Sequence, residues 1–152
     1  MIHQTYPVDS YEIIIVYDES SDITPNLVQA FSQCYPNVKL VSSQKGSPHL
    51  KNKKRALDVG IRVSKGEIVL VTDADCRVTS RWVETMISYF APEVGLVIGY
   101  SQVNSNERLN QQIEALDFLM LSAATRSTAQ FGIPFACTGQ NLAYRRAGFD
   151  EV

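Results

Sequence analysis

The chain has 152 residues, of which 45% are hydrophobic, with 14 basic residues against 16 acidic ones. That length suits one domain spanning residues 1–152, and charges that nearly cancel, with a single basic cluster, leave no broad footprint for nucleic acid, so a small-molecule partner is expected. Cys34, Cys76 and Cys137 are odd in number and match no metal-ligand spacing, which argues for reduced thiols, buried as small hydrophobes in a cytosolic compartment, over a disulfide framework.

Strand and helix patterns alternate along the chain, the signature of a layered α/β domain. "YEIIIVYD", from Tyr11, is a continuous apolar run ending in the polar "DESSD", as a strand buried on both faces would read. Thr24 offers an N-cap with Pro25 at the first helical position; Leu27, Val28, Phe31 and Tyr35 then recur on one face until Pro36 stops the helix. "VKLVS" (Val38 to Ser42) reads as a second strand. A basic helix is predicted over roughly His49 to Ser64, with Leu50, Leu57 and Ile61 on one face and Gly66 as its C′ stop. "EIVLVTDADCRV" is a third strand running into two aspartates. Thr79 can cap the next helix, with Val78 and Val83 as a hydrophobic staple, Met86, Ile87 and Phe90 inward, and Pro92 beyond its end. "GLVIGYSQV" is another strand. A long helix from about Glu107 to Ala129 carries Leu109, Ile113, Leu116 and Met120 at helical spacing, and the loop "FGIPFACTGQ" leads to a last short strand in "NLAYRR". No window approaches the ~20 apolar residues of a membrane span, and no basic segment followed by an apolar one opens the chain.

The two aspartates carry the functional question. Ligands of open α/β sheets lie beyond the carboxyl ends of the strands, where "TDAD" delivers its acids. With alternating side-chain direction, Asp73 and Asp75 can point the same way across Ala74 and converge on one place. Like charges that close need a cation, and Mg²⁺ or Mn²⁺ is commonly held by one or two carboxylates together with substrate phosphates. The plain alternative is a solvated turn, where Asp is common. Two neighbours favour the ligand site. Asp18 ends the first strand at the same expected sheet edge, and Lys51, Lys53, Lys54 and Arg55 gather at the start of a helix whose dipole prefers negative charge there. An anionic ligand would resolve that conflict.

With these motifs in order, the chain resembles the nucleotide-sugar glycosyltransferases of family 2. The resemblance implies the GT-A fold, a Rossmann-like α/β three-layer sandwich with a mixed, mainly parallel sheet. "QTYPVDSYEIIIVYDESSD" looks like the family's second-strand region, in which an acid contacts the nucleobase or ribose; the matching residue is Asp18. "KKRALDVGIRVSKGEIVLVTDADC" is similar to the segment running from the family's lysine to its DxD pair, matched by Lys53, Asp73 and Asp75, with Asp58 where asparagine is common. The resemblance implies that Asp75 ligates a Mn²⁺ or Mg²⁺ ion bridging the donor's diphosphate and that Asp73 lies nearer the ribose. "ACTGQNLAYRRAGFDE" looks like the acceptor-side segment, so Gly139 and Asn141 would shape the floor of the sugar pocket.

The implied activity is metal-assisted, inverting transfer from a nucleoside-diphosphate sugar, UDP-linked by expectation, to a glycan or lipid-linked acceptor, as in cell-surface polysaccharide synthesis. Against the family layout, the first strand and the downstream acidic pair that supplies the catalytic base are missing, so Asp150 and Glu151 are not given that role. The chain then reads as an incomplete fragment, inactive alone, from a cytoplasmic parent associated with the membrane at its cytoplasmic face. The absent strand would sit between those bearing Asp18 and Asp73, so the fragment is expected either to pair those strands directly or to self-associate through their free edges. Two rivals remain. A non-catalytic nucleotide-binding or assembly fragment is one; a haloacid-dehalogenase-type phosphatase is the other, which wants Thr or Val where Arg77 stands.

Overall fold

The computed structural model describes residues 1–18, 24–102, 109–131 and 139–150. Glu107, Cys137, Glu151 and most of the "FGIPFACTGQ" loop lie outside that set. The apolar run after Tyr11 forms β1 (Ile13–Tyr17), followed by α1 (Thr24–Cys34), β2 (Val38–Ser42), α2 (Asn52–Val63) and β3 (Ile68–Val71). Then come α3 (Trp82–Ile87), β4 (Leu96–Ile98), α4 (Leu109–Gln130), β5 (Leu142–Arg145) and α5 (Arg146–Asp150).

β1 and β2 pair in parallel, from Ile13 opposite Val38 to Tyr17 opposite Ser42. β5 runs antiparallel between β3 and β4, with Ala143 facing Leu70 on one side and Val97 on the other. β3 and β4 therefore share one direction, and β5 alone opposes them. The strand order is β1-β2 in one sheet and β3-β5-β4 in another. β1 and β3 share no ladder, so among the described residues the direct closure of the gap between them does not occur.

Each sheet has its own packing. Trp82, Val83 and Met86 of α3 bury against Ala143, with Tyr6, Ile68, Leu70, Val78, Phe90 and Val97 around them. α2 covers the other sheet, burying Val59 and Ile61 where Ile13 and Val38 are also buried. The approach is close: a Cβ on Gly60 would come within 3.2 Å of a Val16 methyl.

Several element ends differ from expectation. α2 begins three residues after His49, its Lys51 cap offers no side-chain bond, and Asn52 opens it with φ 51°, left-handed backbone that Asn tolerates. Its end needs no glycine. Ser64 turns to extended backbone, its N–H bonds the carbonyls of Gly60 and Ile61, and its hydroxyl bonds Ile61 again at 2.6 Å. α3 starts at Trp82 and is not capped by Thr79; the Val83 N–H is instead accepted by the Gln4 side chain at 3.0 Å, a partner 79 positions away. Helix starts need acceptors, and a residue near the N-terminus supplies this one.

The largest departure is α4. Leu109, Ile113, Leu116 and Met120 are all exposed, the least of them at 54%, while Thr125 on the opposite side is buried. α1 repeats the pattern more mildly, with Leu27 and Phe31 exposed and the Phe31 and Tyr35 rings stacked 6.2 Å apart. Helical spacing identified both apolar stripes: α1 packs on β2 with Val28 and Tyr35 partly buried, whereas among the described residues no element covers the α4 stripe. Cys34 is also exposed, against the expectation of a buried thiol.

Candidate functional site

The start of α2 lies between the ends of β1 and β3. Residues two apart on a helix point to nearly opposite sides, and Lys53 and Arg55 do so here. Lys53 reaches Asp73, two residues past β3, with its Nζ on Oδ1. Arg55 reaches Asp18, one residue past β1, at 3.0 Å. Both carboxyl ends therefore meet at one helix start, which places the two acids at a common edge of the fold.

Asp18 has a second partner. The parallel register that sets Tyr17 opposite Ser42 puts Ser43 beside Asp18, and its hydroxyl donates to the same Oδ1. Ser43 is completely buried. The Ser43 hydrogen bond first, then the Arg55 guanidinium, hold the Asp18 carboxyl below its ordinary pKa. Next to this pair, Arg55 Nε is buried and finds no acceptor among the described residues; neither does the hydroxyl of Thr72, beside Asp73. Orphaned buried donors at a strand edge are rare and suit an oxygen-rich ligand.

The "TDADC" stretch is a turn and no longer strand. β3 ends at Val71, and the Cys76 N–H closes onto the Asp73 carbonyl at 3.1 Å. Strand alternation therefore does not set the directions of the two acids. Asp73 is half-buried against Lys53, whereas Asp75 is exposed, with the Cys76 thiol 3.8 Å from its Oδ1. Among the described residues no cluster of three or more His, Cys, Asp or Glu side chains could hold a metal. Among the described residues this turn offers a carboxylate pair, a donor set that fits a hard divalent ion completed by phosphate oxygens and water.

Gly139 adjoins the lysine: a Cβ there would lie 3.5 Å from Lys53 Nζ. Asn141 is locked from three sides. The Trp82 indole N–H donates to its Oδ1 at 2.9 Å, its Nδ2 donates to the Tyr100 carbonyl at 2.9 Å, and its own carbonyl accepts from Gly99 N–H at 2.9 Å. Gly99 must lack a side chain, because a Cβ would overlap the Asn141 amide. Asn141 thus ties α3, the end of β4 and the start of β5 together, two residues from Gly139. Asp58, at the position where asparagine is common, is buried with one oxygen on Arg62 at 2.8 Å and the other unpartnered.

Of the predicted site residues, the structure joins Asp18 and Asp73 through α2 and sets Gly139 beside Lys53. The contributions of Ser43 and Trp82 were missed, and Arg55, read only as one of the basic cluster, was not foreseen as the partner of Asp18. A small polar residue one step past β2, in register with Asp18, was the available signal for Ser43; nothing local announces Trp82.

The family model for glycosyl transferase family 2 matches residues 1–152. The chain belongs to that family. It is 32% identical over 105 residues to the beta-monoglucosyldiacylglycerol synthase of a Synechocystis species, a match covering 69% of this chain and 22% of that protein. It is also 33% identical over 87 residues to the glycosyltransferase AglE of Haloferax volcanii, covering 56% of this chain and 27% of that one. The chain spans about a quarter of the length of these relatives. Glucosyl-3-phosphoglycerate synthase from Mycobacterium tuberculosis, solved with UDP, superposes with a TM-score of 0.57 at 19% identity, covering 92% of this chain and 50% of that one. The fold is accordingly that of a GT-A glycosyltransferase, with parallel and antiparallel pairing. Family membership displaces the phosphatase reading.

Proposed function

We propose that the chain is the donor-binding part of an enzyme that transfers a sugar from a UDP-sugar to an acceptor hydroxyl with inversion. The observation that carries this reading is the meeting of Asp18 and Asp73 at the start of α2, with Arg55 and Lys53 between them. Asp18, held ionised by Ser43 and Arg55, takes the nucleoside. Asp75, with Asp73, holds Mn²⁺ or Mg²⁺ against the diphosphate; when bound, such an ion stabilises negative charge on the leaving group. Gly139 and Asn141 shape the sugar side. The acceptor is a glycan or a lipid-linked group, in keeping with the diacylglycerol in the Synechocystis relative's name. No helix among the described residues is long and apolar enough to cross a membrane, and the proposed setting is the cytoplasm, with a longer parent at the membrane's cytoplasmic face.

Calorimetry with UDP tests the reading. Binding should require Mn²⁺ and vanish in Asp75→Ala; metal-independent binding that survives this substitution would refute it. No catalytic base is assigned within the chain, and we propose that these 152 residues alone do not turn over, which a radiolabelled-sugar transfer assay checks.

A second reading, a non-catalytic nucleotide-binding or assembly module, is favoured by one observation: among the described residues β1 and β3 are not paired, and each stands at the edge of its sheet. Open edges recruit strands from other chains. The chain should then self-associate, and light scattering that finds a monomer at all concentrations would exclude this.

A further inference from the structure

Lys53 stands where an electrostatic argument would not put a cation. It is the second residue of α2, whose first turn carries no acidic residue and whose cap offers no side-chain bond, so the helix dipole opposes its charge. What opposes that disadvantage is Asp73, the half-buried acid whose Oδ1 it contacts. The Asp73 carboxylate is also one of the two that the proposed function assigns to a divalent ion. An ion there and the Lys53 ammonium are like charges competing for one carboxylate, with the backbone of Gly139 close behind the ammonium.

Resting on that reading of the site, we propose that Lys53 is a displaceable internal counter-ion. Without donor it neutralises Asp73 and holds off the metal; when a nucleoside diphosphate arrives, the ammonium passes to a phosphate oxygen and Asp73 is released to the ion. Metal and nucleotide then bind cooperatively because one lysine serves both states. This is a reciprocal coupling: whatever factor the nucleotide adds to metal affinity, the metal adds to nucleotide affinity. Lys53 is a binding residue in this scheme, and no covalent bond is made or broken. The flanking groups suit a side chain that must move. Lys53 itself is more than half exposed, and the left-handed Asn52 directly before it marks the point where the chain turns into the helix.

The test is manganese binding followed by the electron paramagnetic resonance of free Mn²⁺, with and without UDP, on the intact chain and on Lys53→Met, Lys53→Arg and Asp75→Ala. Removing the ammonium should tighten Mn²⁺ binding in the absence of UDP by about threefold or more at low salt, the scale of losing an exposed competing ion pair. The same substitution should weaken UDP and shrink the mutual enhancement of UDP and Mn²⁺ toward unity. Lys53→Arg, which keeps the charge, should leave Mn²⁺ alone as weakly bound as in the parent. If Lys53→Met leaves metal-only affinity unchanged while Asp75→Ala still abolishes binding of the UDP and Mn²⁺ pair, the counter-ion role is wrong and the donor site stands. If the parent chain takes up no Mn²⁺ even with UDP, both fall together.

Discussion

Replacing Asn141 by Ala tests whether the segment around it is held by the interior. The amide bridges the Trp82 indole N–H and the Tyr100 carbonyl, each at 2.9 Å. These two losses are unequal. Trp82 is 9% exposed, so its N–H is left inside the core without the Asn141 acceptor, and an unsatisfied buried donor costs about 1–3 kcal/mol. Tyr100 is exposed; its carbonyl recovers water, and that bond is worth about 0.5 kcal/mol. The sum is about 1.5–3.5 kcal/mol, which for a chain of this size lowers the Tm by about 3–14 °C. Trp82 is the only tryptophan in the chain, so its fluorescence reports the site during urea unfolding, while far-UV circular dichroism follows the fold. A cycle with Trp82→Phe isolates the pair and should return a coupling of about 1 kcal/mol or more. Asn141→Ala unfolding within 0.5 kcal/mol of the parent, with unshifted Trp82 emission, would overturn the reasoning.

Two further expectations concern protons. Burial pushes the Glu12 carboxyl up, but the Lys39 ammonium at 2.6 Å and the Lys65 N–H outweigh it, so its folded pKa lies below the ordinary value. Its stabilisation is therefore complete above the unfolded pKa and fades as pH falls through the folded one. Glu12→Gln should remove about 0.5–1 kcal/mol at neutral pH and flatten the acid limb of stability against pH; an unchanged acid limb in thermal melts would contradict the pairing. Ser43→Ala removes the first of the two donors holding Asp18 ionised, so the Asp18 carboxyl should titrate closer to its ordinary value in a carbon-detected NMR pH series. A titration identical to the parent's would mean that Arg55 alone sets it.

What the sequence revealed and what it hid follow one rule. Features set by neighbours in the chain were legible: the apolar run of β1, the strand before "TDAD", the acids at strand ends and the cation-rich helix start. Features set by distant chain were not. Gln4 caps a helix 79 positions on, Trp82 holds an amide 59 positions away, and Ser43 matters only because the β1–β2 register aligns it with Asp18. Glycine 66 misled because Ser64 could end α2 by itself with extended backbone and a hydroxyl bond. The α4 stripe shows a different limit. Periodicity tells which residues share a face, and Leu109, Ile113, Leu116 and Met120 do; it does not tell whether anything packs there.

The split between the sheets explains why the start of α2 matters beyond ligand binding. α2 packs on β1 and β2, yet Lys53 and the carbonyl of Ser64 reach across to Asp73 and Arg146, which belong with β3 and β5. These links sit near opposite ends of the same helix, and the Lys53 link is exposed on one side. An exposed ion pair contributes little rigidity. Among the described residues the Lys53–Asp73 pair links α2 to the "TDADC" turn, and a ligand touching both Asp18 and Asp73 would add charge-assisted bonds across the same gap. On the proposed reading, the arrangement that leaves this edge adjustable is the same one that would let Lys53 change partners: a cation at the wrong end of a helix dipole, paired with the Asp73 carboxylate.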